Sequence, residues 1–224
     1  MRLFISSALA IYIKDLRIEL RTRESILSIL FFALLTSFIF RFAFDPNPKV
    51  MEAVGPGIVW VAFLFAGVIA LSHSFVSERD QGTLQALMIS PIPPEVILVG
   101  KAASIFTIIF IVELIMLPVF VILYDLPILD FWFGIIAFLT TLGFVSVGTL
   151  FSAIASHTRS RELLLPLLFL PAIIPLLIAA VASTNLIFQG SEIQDFSKWV
   201  QLLLLYDAIS IVLSSILFGY VLED

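Results

Sequence analysis

The sequence predicts an all-α polytopic membrane protein with six transmembrane helices and an N-terminal helix lying in the membrane interface. Three observations carry that prediction. The composition is 61% hydrophobic and only 13% charged, with a mean hydropathy of +1.15, whereas soluble domains are roughly 45–50% apolar. Six apolar runs, 25–44, 57–76, 102–123, 132–155, 163–182 and 200–221, each match the roughly 20 residues a helix needs to cross the hydrocarbon layer. The Lys and Arg residues gather in the loops on one side of these runs. Hydrocarbon supplies no water to free backbone groups, so spans of this length are helices rather than the alternating strands of a barrel. The 224 residues are then largely consumed by one transmembrane domain, 1–224, with no room for a separate catalytic domain.

In residues 1–24, Ile5, Leu9, Tyr12, Ile13, Leu16 and Leu20 recur at helical spacing, while Lys14, Asp15, Arg17 and Arg21 take other faces. That pattern predicts a helix in the cytoplasmic interface that elbows into the first span. A cytosolic extension of the first span is the alternative. No small-residue cleavage site follows a short apolar core, so the first span is expected to stay in the protein. Arg41, near the outer edge of that span, can snorkel to the interface, with Asp45 close by.

Placing the N-terminus in the cytoplasm puts nine basic residues inside: Arg2, Lys14, Arg17, Arg21, Arg23, Arg79, Lys101, Arg159 and Arg161. Arg41, Lys49 and Lys198 are left outside. The positive-inside rule favours this orientation, with both termini cytoplasmic. Trp60, Trp132 and Trp199 then fall at the outer starts of spans two, four and six, as an interfacial aromatic belt requires.

The connection 77–101 between spans two and three is expected to be cytoplasmic. Glu78, Arg79 and Asp80 open it, Leu84, Leu87 and Met88 follow at i, i+3, i+4, and Pro91, Pro93 and Pro94 stiffen its end. This reads as a short amphipathic helix stopped by proline, a docking element able to transmit force. A connector whose apolar side rests on the bilayer is the alternative.

Inside the spans, ionisable residues are functional candidates because lipid makes them costly. Glu113 lies near the middle of span three and Asp207 about a third of the way into span six, each suited to transport, to subunit contact or to packing alone. Span five carries Pro166, Pro171 and Pro175, the last two four apart on one face; they predict a bent helix, which serves either as a moving part or for packing. Gly143, Ser146, Gly148 and Ser152 in span four are small enough to admit a close neighbour. The two histidines, His73 and His157, fall near cytoplasmic span ends and are read as interfacial residues, not as metal or haem ligands. No catalytic or metal site is expected. The absence of cysteine removes disulfides, thiolate ligands and covalent haem attachment. There is no G-x-x-x-x-G-K-[ST] phosphate loop either, so ATP binding by that route is excluded. The net charge of −5 is spread over loops and ends and does not argue for nucleic acid.

Three stretches together resemble the CcmB family, the haem-exporter B permeases of cytochrome c maturation. They are the run from Gly55, Pro56 and Gly57 through Trp60, the loop from Glu78 through Pro93, and the Leu170-Pro171 and Ile174-Pro175 pairs. The resemblance covers nearly the full chain. It implies an ABC-2-type permease subunit of the bacterial inner membrane that hydrolyses nothing itself. It also implies an ATP-binding CcmA-like ATPase docked on the 77–101 loop, CcmC-like and CcmD-like membrane subunits, and a periplasmic CcmE-like haem chaperone released when ATP is hydrolysed. Haem is then handled by the complex, with no cofactor bound directly by this chain, and membrane lipid is the remaining partner. Two other readings stay open: an ABC-2-type exporter subunit for lipid, polysaccharide or drug, and an ATPase-independent, ion-linked secondary transporter built around Glu113 and Asp207. Small size and the lack of an evident inverted repeat count against the last.

Overall fold

The computed structural model describes residues 2–44, 47–80, 92–156 and 161–223. Seven helices are found among them and no strand: α1 (Arg2–Thr22), α2 (Glu24–Ala43), α3 (Pro48–Asp80), α4 (Pro94–Tyr124), α5 (Phe131–Ser156), α6 (Arg161–Phe188) and α7 (Ile193–Glu223). The last six are each long and apolar enough to cross a membrane, and the protein is a multi-pass membrane protein.

Local signals explain where the helices stop. A single residue, Arg23, separates α1 from α2; at φ 55° it occupies the left-handed region, uncommon for a residue with a side chain, and turns the chain between two helices. Asp125 ends α4 in the same conformation, φ 53°, which a short polar side chain tolerates. Gly190, at φ 71°, closes α6 in a Schellman arrangement: its N–H bonds Ile187 O, and Ser191 N–H bonds Leu186 O, both at 3.0 Å. Pro93 precedes α4 and Pro94 occupies its first turn with Glu95, where a missing N–H costs nothing and a negative charge meets the positive end of the helix dipole.

The helices outrun the apolar windows. α3 begins at Pro48, two turns before the run at 57–76, and α4 begins at Pro94, so residues 94–101 are its first two turns rather than loop. Hydropathy reports the lipid-matched stretch, while the backbone hydrogen-bond ladder continues until a capping residue ends it.

α5 is the central element. It packs against α3, α4, α6 and α7, and 67% of its span is buried. α2 lies outside, against α3 and α4. α1 runs along the first half of α4, where the Tyr12 and Thr107 hydroxyls lie 3.4 Å apart. Lipid tails are as apolar as leucine, so association between helices rests on close packing and interhelical hydrogen bonds. Small residues of α5 supply both. A Cβ on Gly148 would collide with Leu71 of α3, and one turn further along Ser152 donates to Leu71 O at 2.7 Å. On the α7 side, Ser214 donates to Ser146 O at 2.9 Å.

Candidate functional site

α4 is apolar on every face, so its buried stripe is chosen by neighbours: Ile105, Ile109, Val112, Met116, Phe120 and Tyr124 recur every three to four residues. Glu113 lies on that stripe and is 4% exposed. Thr141 of α5 donates its hydroxyl to Glu113 Oε1 at 2.7 Å. Among the described residues Oε2 has no hydrogen-bond partner, and neither has Thr140 Oγ1.

The second intramembrane carboxyl is held differently. Asp207 shares the buried stripe of α7 with Leu203, Ser210 and Ser214, and is also 4% exposed. Its Oδ1 occupies the notch left by Gly143 of α5, where a Cβ would overlap that oxygen and stand 3.0 Å from Leu176 and 3.1 Å from Tyr206. Neither Asp207 oxygen has a hydrogen-bond partner among the described residues. The adjacent Tyr206 donates to Ala172 O of α6 at 3.0 Å, in the turn between Pro171 and Pro175. The carboxyl therefore sits where α5, α6 and α7 meet.

The two carboxyls are not brought into one site. Glu113 borders a cavity of about 210 Å³ and a separate void of about 10 Å³, and Asp207 lines neither. The smaller void also touches Trp60, Thr140 and Thr141, which joins Glu113 to the tryptophan singled out with Gly55, Pro56 and Gly57. Trp60 is not part of an interfacial belt. It is 2% exposed, its Nε1–H donates to Thr184 Oγ1 of α6 at 2.9 Å, and its ring meets Phe63 edge-on. The early start of α3 at Pro48 carries Trp60 three turns into the helix. Trp132 and Trp199 are half-buried.

Gly55 and Pro56 are buried near the start of α3, with Gly55 leaving room for Leu126 of the α4–α5 connection, whose Cδ2 would stand 2.7 Å from an added Cβ. Gly57 is half-buried. Pro171 and Pro175 do share one face of α6, an exposed one that also carries Ile174 and Ile178. Glu78, Arg79 and Asp80 belong to the last turn of α3 by backbone, and their side chains, like that of His73, are outside the described residues. Leu84, Leu87, Met88 and Pro91 lie outside them altogether, as does His157. Pro93 is exposed just before α4.

One ionic contact escaped the sequence reading. Lys101 is fully buried, two turns inside α4, with Nζ 3.6 Å from Asp15 Oδ2 of α1; Asp15 also pairs with Lys14 at 2.8 Å. The spacing Ile97, Lys101, Ile105 places this lysine on the buried stripe, a signal visible once α4 is known to start at Pro94. Among the described residues no group of three or more histidine or carboxylate side chains converges in metal-binding geometry.

Curated relatives align over most of this chain. Heme exporter protein B of Haemophilus influenzae is 28% identical over 168 residues, covering 75% of this chain and 76% of its own length. The protein of the same name from Rhodobacter capsulatus is 28% identical over 185 residues, 82% of this chain and 83% of its own. That from Pseudomonas aeruginosa is 26% identical over 173 residues, 77% of each. The family model described as CcmB protein matches residues 6–223, nearly every residue from α1 through α7, and the chain therefore belongs to the CcmB family.

Proposed function

We propose that this protein is the membrane-spanning permease subunit of an ABC complex that delivers haem for cytochrome c maturation in the bacterial inner membrane. The observation that carries this reading is the family match over residues 6–223, together with relatives named heme exporter protein B along most of their length. ATP is bound and hydrolysed by a CcmA-like partner, and CcmC-like and CcmD-like subunits complete the membrane part. A CcmE-like chaperone receives the haem on the outer side and is released at the expense of ATP. The six spans form the body of the permease, both termini are cytoplasmic, and the ATPase docks on the connection leading from the end of α3 at Asp80 to the start of α4 at Pro94.

The physical support for that docking element is its position and chemistry. It joins α3 and α4, two helices of 33 and 31 residues, each in contact with the central α5, so a push on the connection reaches the bundle through rigid rods. Leu84, Leu87 and Met88 are its apolar anchors, and Glu78, Arg79 and Asp80 form a charged rim.

Purification from mild detergent should recover an ATPase subunit and haem-handling membrane proteins with the wild-type chain. Leu84→Glu with Leu87→Glu should detach the ATPase while leaving the spans inserted, because an unpaired charge buried in an apolar groove costs several kcal/mol. Rim substitutions such as Arg79→Ala should cost only roughly 0–1 kcal/mol. Full ATPase recovery and normal cytochrome c maturation in the double variant, at equal membrane expression, would remove the coupling role from this connection.

A further inference from the structure

Glu113 lines two unequal spaces. The larger, a cavity of about 210 Å³, extends from Glu113 past Phe63, Phe110 and Phe133 to Gly134 and Asp130. Asp130 is exposed at the end of the bundle formed by the α4–α5 connection. The smaller, a void of about 10 Å³ bounded by Trp60, Ile109 and Phe144, has space for about one water molecule. Glu113 is 11 residues from the end of α4 at Tyr124, so it lies about 16 Å deep at 1.5 Å per residue, near the middle of a hydrocarbon layer about 30 Å thick.

We propose that Glu113 is an intramembrane proton-binding site that exchanges with solvent through this cavity, from the end of the bundle bearing residues 125–130 and not from the end where α4 begins at Pro94. Hydrogen-bond accounting supports it. The Thr141 hydroxyl satisfies Oε1, while Oε2 is buried and has no partner among the described residues; in a site this dry an oxygen without a partner is costly unless it carries a proton or meets water. The terminal torsion of a glutamate is soft, so Oε2 is free to reorient beside the cavity that Glu113 lines.

Around Glu113, α3 presents Trp60 and Phe63, α5 presents Thr140 and Thr141, and α6 presents Leu177; among the described residues Asp130, at the far end of the larger cavity, is the only other titratable group lining either space. Asp207, wedged in the Gly143 notch, borders neither space and is the internal contrast.

The test is infrared spectroscopy of the purified protein in lipid nanodiscs, reading the carbonyl band of protonated carboxyls and its shift on transfer to deuterium oxide. Wild type should show a band that titrates, that Glu113→Gln removes and that Thr141→Val moves by deleting the donor to Oε1. Gly134 supplies a plug, since a Cβ there meets nothing within 4 Å and the residue lines the larger cavity. Gly134→Leu should slow deuterium exchange of the Glu113 band about tenfold or more, exchange then waiting on local opening of the bundle. Gly57→Leu, also pointing into open space but lining neither cavity, should leave the rate unchanged. The proposal is overturned if no band responds to Glu113→Gln or Thr141→Val at any pH at which the protein stays folded. It is equally overturned if the band exchanges as fast in Gly134→Leu as in wild type, or does not exchange in wild type.

Discussion

α5 and α2 are both apolar helices long enough to span a bilayer, yet 67% of one span is buried and 17% of the other. Apolarity does not separate them. α2 exposes Leu27, Phe31, Ile39 and Phe42, large side chains content in lipid, and accepts a hydrogen bond through its backbone, where Tyr124 of α4 donates to Ser37 O. α5 carries glycines that accept Asp207 and Leu71, and hydroxyls that reach Glu113 and Leu71 O. In water the greasier helix goes inside; in lipid the helix that lets others approach and hydrogen-bond to it takes the centre.

The largest test of that contrast is Gly143→Leu. It forces a branched side chain against the Asp207 carboxyl, Leu176 and Tyr206 at once, so the loss of stability should lie at or above the upper end of the about 1–3 kcal/mol typical of overpacking, seen as a much earlier unfolding midpoint in a graded detergent titration. An unaltered midpoint would mean that α5 and α7 are not packed through this notch.

A smaller effect is expected for Trp60→Phe, which keeps an aromatic ring beside Phe63 and Phe133 but deletes the donor to Thr184. Hydrogen bonds between membrane helices average about 0.6 kcal/mol and reach about 1.7, so the midpoint should fall modestly. Thr184→Val in the same background should add little, because the two residues share one bond. Full additivity would show that they act separately.

Smallest of all should be Phe42→Ala on α2. This ring is 85% exposed, and substitutions away from packed or paired groups usually stay within about 0.5 kcal/mol. A loss comparable to that of Gly143→Leu would show that the exposed face of α2 is covered by another protein and not by lipid.

Legibility from sequence followed the same division. Glu113 and Asp207 could be singled out without coordinates because charge inside an apolar run is expensive wherever the helix ends up. The small residues of α5 were readable for a similar reason, as nothing else in lipid rewards them. Trp60 was misread: a tryptophan near the start of an apolar run looks interfacial, and its true depth depends on α3 beginning at Pro48 and on Thr184, 124 residues away. Lys101 was counted as a loop charge because its partner, Asp15, lies on another helix, and no local pattern announces a pair 86 positions apart.

By itself the sequence determined the solvent, the secondary structure and the number of spans, since these follow from apolar length and from the need of every backbone group in hydrocarbon for a partner within its own helix. The helix ends were less legible, since α3, α4, α6 and α7 all extend beyond the apolar runs. Only the tertiary structure decided which helix stands at the centre, that the two intramembrane carboxyls occupy separate sites, and that Glu113 and not Asp207 borders the cavity of about 210 Å³. Those outcomes depend on which notch meets which side chain across the bundle, and such contacts join residues far apart in a chain whose lipid-facing and protein-facing surfaces are equally apolar.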